Sequence, residues 1–195
     1  MSNSPFFSVV IPTYNRAFLL KNAIESVVSQ TFLDYEIIVV DNSSTDETDF
    51  VVKNFNNSNI RLIKINNGGI IALSRNEGIH NSNGKWIAFL DSDDVWLPHK
   101  LEKVHAAINN NEDYILFCHN EWHIINGEKV SRLVYGCNGA DLYTHLLFKG
   151  NCMSTSAVCI SKEVALKTKG FSSRKDFVTV EDYEYWIRLS KEGKI

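Results

Sequence analysis

Three short, Val- and Ile-rich or aromatic apolar runs each end in a polar segment, and this pattern constrains the fold more than any other feature. Phe6–Ile11 is followed by Pro12-Thr13-Tyr14-Asn15-Arg16, Tyr35–Val40 by Asp41-Asn42-Ser43-Ser44, and Trp86–Leu90 by Asp91-Ser92-Asp93-Asp94. Val- and Ile-rich runs without polar alternation predict parallel strands covered on both faces. Between them the period becomes helical. Phe18, Leu19, Leu20, Ala23, Ile24, Val27 and Val28 predict a helix through Gln30. Ser44-Thr45-Asp46-Glu47 has capping-box spacing ahead of the stripe Phe50, Val51 and Phe55. Ile60–Ile65 reads as a third strand, Gly68-Gly69 as a break, and Ile70–His80 as a helix. Pro98 suits the first turn of a helix carrying Leu101, Val104 and Ile108, and Tyr114–Cys118 reads as a fifth strand. Repeated βα units with right-handed crossovers predict an α/β fold, Rossmann-like, with a mostly parallel central sheet flanked by helices.

Beyond Asn120 the rhythm changes to a mixed α+β segment. Trp122–Ile125, the Asn126-Gly127 turn signal and Lys129–Tyr135 predict a hairpin. Asp141–Phe148 reads as a short helix, Ser154–Ile160 as a strand, Lys162–Lys169 as a helix ended by Gly170, and Asp182–Lys191 as a final helix. No repeat or linker divides the chain, so residues 1–195 are expected to form one domain with functional halves 1–118 and 119–195. A hydrophobic content of 44% with 22% charged residues places the chain among folded globular proteins. The net charge of −3 supplies no global field for nucleic acid or an anionic membrane, so phosphate binding must be local. Met1–Phe7 has no signal-peptide pattern and no run reaches membrane-spanning length, which gives a cytoplasmic expectation.

Ligands of open α/β sheets sit at the carboxyl ends of the strands, where the polar segments lie. In extended backbone, residues i and i+2 face the same way, so Asp91 and Asp93 project side by side. All-oxygen donors suit Mg²⁺ or Mn²⁺, and equally suit a solvated helix-capping loop; the residues alone leave both open. Asp41 is placed to accept hydrogen bonds from a base or ribose, Tyr14 to stack and Arg16 to bring positive charge, and the same residues also fit ordinary turns. Arg75 either reaches phosphate over the sheet or is a surface arginine paired with Glu77 or Glu47. Glu181-Asp182 opens the last helix, as a dipole complement or as a general base. His119 and His123 lack the H-E-x-x-H order of a zinc site, and neither a G-x-G-x-x-G nor a P-loop occurs. Trp86, Trp96, Trp122 and Trp186 read as core or cleft wall.

Taken together, SVVIPTYNR (Ser8–Arg16), IIVVDNSSTDET (Ile37–Thr48), ALSRNEGI (Ala72–Ile79), WIAFLDSDD (Trp86–Asp94) and EDYEYWIRL (Glu181–Leu189) resemble family 2 glycosyltransferases of the GT-A fold, in order and spacing, over nearly the whole chain. The resemblance implies transfer of a sugar from a nucleotide-sugar donor, usually a UDP-sugar, to an acceptor hydroxyl with inversion, in surface polysaccharide or glycolipid assembly. It implies that Pro12, Tyr14 and Asp41 bind the base and that Arg75 contacts the nucleotide, with Arg16 and Ser92 in the same donor-binding motifs. Asp93 looks like the direct ligand of Mn²⁺ or Mg²⁺, Asp91 lies near the ribose or the metal's waters, and Asp94 is a further contact. Asp182 looks like the catalytic base, Glu181 its neighbour and acceptor contact, and Asn151–Ser156 borders the donor sugar. The acceptor is expected to be a glycan or lipid-linked molecule. The chain stops at Ile195 where relatives continue, so a further metal-ligand histidine and a membrane-associating segment are expected beyond it, with action at the inner face of the membrane. The alternatives are a non-catalytic nucleotide-sugar-binding module and a nucleotidyltransferase. The latter wants a Gly-rich basic loop after the first strand, which PTYNR does not supply.

Overall fold

The computed structural model describes residues 4–137 and 141–195. The elements follow the chain as β1 (Phe7–Thr13), α1 (Ala17–Val28), β2 (Tyr35–Asp41), α2 (Thr48–Asn54), β3 (Ile60–Lys64), α3 (Ile71–Asn81), β4 (Trp86–Phe89), α4 (Lys100–Asn110), β5 (Leu116–Cys118), β6 (Glu121–Ile125), β7 (Glu128–Leu133), α5 (Leu142–Lys149), β8 (Val158–Ser161), α6 (Lys162–Lys167) and α7 (Glu181–Leu189). The central sheet has six strands in the order β3-β2-β1-β4-β8-β5. β1 pairs in parallel with β2 and β4, and β2 with β3, as the apolar runs predict. β8 enters antiparallel between β4 and β5, so the last third of the chain completes the sheet built by the first.

Every residue of β1 and β2 is buried, because helices cover both faces. Alternate side chains feed two cores. Phe7, Val9 and Ile11 point toward α1, α2 and α4, where Leu20, Ile24, Val27, Val52, Leu101 and Val104 pack. Val10 points to the other face, among Ala72 and Ile79 of α3 and Tyr185, Trp186 and Leu189 of α7. Each fully buried aliphatic or aromatic side chain contributes roughly 1.5–3 kcal/mol, so the two faces rather than helix propensity fix the layers. Gly78 lets α3 approach β1: a Cβ there would lie 2.2 Å from Val10 Cγ1.

Local chemistry departs from the sequence expectation in a few places. β1 runs past Ile11 to Thr13, because Pro12 and Thr13 still pair with β2 where pairing to β4 has ended at Val10–Phe89. Pro12 therefore needs no ladder N–H toward β4. The capping box does not form. Helix α2 starts at Thr48, whose N–H (3.1 Å) and hydroxyl (2.6 Å) donate to Asp46, while the Ser44 hydroxyl is engaged with Asp41 and the Asn15 N–H. Pro98 precedes α4 rather than opening it. The expected strand from Ser154 begins as a 3₁₀ turn, Thr155–Ala157, ahead of β8. The β6–β7 hairpin forms, with Asn126 (φ 51°) and Gly127 (φ 82°) both left-handed as its turn requires. Trp122 on this hairpin is 45% exposed, so unlike buried Trp96 and Trp186 it is neither core nor cleft wall. Among the described residues no helix is long and apolar enough to cross a membrane.

Candidate active site

The loops after β1 and β2 are stitched together. Asn15, at φ 49°, donates its N–H to Ser44 Oγ (2.8 Å) and accepts from the Thr45 N–H (2.8 Å), and the Ala17 N–H donates to Asp46 (2.9 Å). Asp41, fully buried, accepts the Ser44 N–H (3.1 Å) and hydroxyl. Burying a carboxylate requires such donors, and here they lock the β2–α2 turn. Pro12 is buried in β1, whereas Tyr14 leaves its ring 55% exposed beside this turn.

The acidic loop after β4 is tied on several sides. Asp91 accepts both bonds of a forked contact from Arg75 Nη2 (2.9 and 3.2 Å), and its N–H donates to Ser156 Oγ (3.0 Å). Asp93 pairs with Arg16 at 2.5 Å, with both side chains about half exposed. Asp94 accepts the Ser156 hydroxyl at 2.6 Å, and burial raises its pKa above the ordinary 3.8 despite that bond. Ser92 is buried. Arg75 is not a surface residue. Only 4% exposed, it donates also to Glu181 (2.7 Å) and so joins α3, the acidic loop and α7. Burial opposes its charge, but the carboxylates of Asp91 and Glu181 outweigh burial and hold the guanidinium ionised.

Asp182, at the N-terminus of α7, accepts the Thr155 hydroxyl (3.4 Å) and the Tyr183 N–H (2.6 Å). Burial raises its pKa above the usual 3.8, so the group is primed to take a proton more readily than a surface aspartate. A cavity of about 350 Å³ is lined by Arg75, Asp91, Tyr135, Asn151, Met153, Ser154, Thr155 and Asp182. The structure thus brings Asp91, Arg75 and Asp182, separated by up to 107 positions in sequence, into one cleft at the carboxyl edge of the sheet. Pro12, Tyr14, Arg16, Asp41, Ser92 and Asp93 do not line that cavity; they belong to the adjoining strand-end loops. Tyr135, whose hydroxyl donates to Glu121 (2.8 Å), carries no sequence signal for a place in the cleft, since no periodicity marks it. Ser156 enters only through the family resemblance, within the segment Asn151–Ser156.

Among the described residues no group of three or more His, Cys, Asp or Glu side chains is arranged to hold a metal ion. The donor chemistry nevertheless fits a hard cation shared with a ligand. Asp93 is half exposed, and an exposed ion pair such as that with Arg16 costs only about 0–1 kcal/mol to open. One or two carboxylates, completed by water and phosphate oxygens, are what Mg²⁺ or Mn²⁺ uses in such sites.

The sheet and the carboxylate-lined cleft at its strand ends define an α/β fold in which Arg75 and Asp91 meet Tyr135, residues of the segment 151–155 and Asp182 over one cavity. The chain belongs to glycosyl transferase family 2, whose sequence model matches residues 8–150. It is 31% identical over 190 residues to the UDP-Glc:α-D-GlcNAc-diphosphoundecaprenol β-1,3-glucosyltransferase of Escherichia coli, covering 96% of this chain and 71% of that protein. Among solved structures, Staphylococcus aureus TarS in complex with UDP superposes with a TM-score of 0.72 at 21% identity, covering 93% of this chain and 54% of that one. The mannosyltransferase PcManGT of Pyrobaculum calidifontis, in complex with GDP-Man and Mn²⁺, gives 0.62 at 17% identity, covering 88% and 49%. At these identities the solved structures establish the GT-A fold alone, and the chain spans about half of each.

Proposed function

We propose that the domain transfers a sugar from a UDP-sugar to a hydroxyl of a glycan or lipid-linked acceptor, with inversion, on the cytoplasmic side in cell-surface polysaccharide or glycolipid assembly. The observation that carries this reading is the placement of Asp91 and Asp182 on one cavity, with Arg75 bonded to Asp91 and its charge felt by Asp182. The Escherichia coli relative named for a UDP-Glc donor and a lipid-linked diphosphate acceptor supports the donor and acceptor classes.

In this reading the stitched loops after β1 and β2 take the uracil and ribose, with Tyr14 as the exposed stacking ring and buried Asp41 fixing the β2–α2 turn beneath it through Ser44. Arg75 holds Asp91 in place rather than binding phosphate, since both of its forks already meet carboxylates. Asp93, with Asp91 beside it, would hold Mn²⁺ or Mg²⁺. That cation would neutralise charge developing on the departing diphosphate. Asp182 accepts the proton of the acceptor hydroxyl as that oxygen bonds to the anomeric carbon, while the bond to the diphosphate breaks and its electron pair leaves with UDP. An oxocarbenium-like transition state and attack from the opposite face give inversion in a single displacement.

A thermal-shift series with UDP-glucose, UDP-GlcNAc and GDP-mannose, with and without Mn²⁺, tests the binding half of the proposal, because a ligand selective for the folded state stabilises by mass action. A UDP-sugar is expected to raise Tm in the presence of Mn²⁺, with the gain lost in Asp93→Ala. No shift with any nucleotide sugar would contradict the proposal.

A further inference from the structure

Lys100 lies on the apolar face of α4, four residues before Val104 and eight before Ile108, and is only 7% exposed. An ammonium in such a place is costly unless it is well partnered. Its Nζ stands 3.3 Å from the centroid of the Trp96 ring and donates to the Ser156 carbonyl at 3.1 Å, while Trp96 Nε1–H donates to that same carbonyl at 3.1 Å. Ser156 sits in the 3₁₀ turn Thr155–Ala157, whose hydroxyls bond the acidic loop on one side and Asp182 on the other. The Ser156 hydroxyl accepts the Asp91 N–H and donates to Asp94, and the Thr155 hydroxyl donates to Asp182.

We propose that Lys100 is a positioning residue of the transfer site: by clamping the Ser156 carbonyl against Trp96 it fixes the one turn that spaces the acidic loop from the base. The inference rests on the reading of Asp182 as base and of Asp91–Asp94 as the donor end. Packing alone does not account for a lysine here, since an apolar side chain of the same length fills the position without desolvating a charge. Burial pushes the Lys100 amine down to about 7. The titratable groups facing it are Cys159 of β8, Glu121 of β6 and Asp94, together with His119, which burial and then the lysine charge push down to about 4. Among the described residues none of these forms an ion pair with Lys100. The clamp is therefore a hydrogen bond and a ring contact rather than a salt bridge.

Steady-state kinetics of Lys100→Met, Ser156→Ala and the double variant, with calorimetry of UDP and Mn²⁺, test the clamp. Lys100→Met keeps the stem, and the Ser156 carbonyl still receives the Trp96 N–H, so the melting temperature is expected to hold. A positioning role predicts that kcat falls roughly 10- to 100-fold while donor KM and UDP affinity stay within about threefold. It also predicts that the double variant is no worse than about the weaker single, because both changes cut one chain of contacts. Wild-type kcat in Lys100→Met, with Asp182→Asn inactive, overturns the clamp, as does strict additivity of the two changes. Asp182→Asn turning over at the wild-type rate overturns the underlying transfer reading, and the clamp's role with it.

Discussion

Replacing Arg75 by methionine is the perturbation whose energetic cost can be worked most directly. The Arg75 side chain is 5% exposed and sits between Glu181, 9% exposed, and Asp91, 30% exposed. Among the described residues Glu181 Oε2 and Arg75 Nε are buried without a hydrogen-bond partner, so no other donor is in place for Glu181 once the guanidinium is gone. Removing one partner of a buried pair costs about 3–5 kcal/mol, because the remaining charge stays desolvated. Asp91 is exposed enough to rehydrate, and its loss adds at most ~1 kcal/mol. A loss near 4 kcal/mol lowers Tm by about 8–16 °C in a domain of this size. Urea unfolding measures it, and the Arg75→Met/Glu181→Leu double variant supplies the control: with the orphaned carboxylate removed, most of the lost stability returns. A loss below about 1 kcal/mol for Arg75→Met, or a double variant less stable than the single, would refute the reasoning that buried Glu181 depends on Arg75 as its partner.

Three further outcomes follow from other parts of the molecule. Because burial raises the Asp182 pKa above its ordinary 3.8 and the base must be ionised, kcat/KM is expected to fall with decreasing pH along a limb centred above 3.8; a pH–rate profile whose acid limb lies at or below that value contradicts the assignment. Gly78→Ala would place a Cβ 2.2 Å from Val10 Cγ1 and is expected to cost about 1–3 kcal/mol by overpacking, with Val10→Ala restoring part of it in thermal melts. At Glu36, burial opposes ionisation but hydrogen bonds from Ser8, Asn83 and Arg61 outweigh it and hold the pKa below 4.5. Its contribution is therefore present above pH 4.5 and lost as pH falls through the lower folded value, so Glu36→Gln should flatten the acid end of the stability curve, and an unchanged curve would count against it.

Much of the layer structure is legible in the sequence because the buried strands are Val- and Ile-rich runs and helices such as α1 and α4 carry an apolar stripe. The antiparallel insertion of β8 is not, since nothing in Val158–Ser161 records which neighbours it will have in the sheet. The capping of α2 misled for a local reason: Ser44 has the spacing of a cap, but Asp41 lies close enough to take its hydroxyl, and Asp46 caps instead. The site was legible residue by residue and not as a network. Arg75 reads as a lone charge in a small-residue helix, and only the approach of α7 to β4 turns it into the link between Glu181 and Asp91. Lys100 carried a readable signal, a cation on the i, i+4, i+8 face of an otherwise apolar stripe, whose partner Ser156 lies 56 residues away.

Asp182 is the residue whose role decides the transfer chemistry most directly. Turnover of Asp182→Asn at saturating UDP-sugar and acceptor with Mn²⁺, measured beside UDP affinity on the same sample, isolates its role. Loss of the base is predicted to lower kcat by about 10²–10⁴-fold with UDP affinity unchanged. Transfer within about threefold of wild type would contradict the claim that this carboxylate takes the acceptor proton.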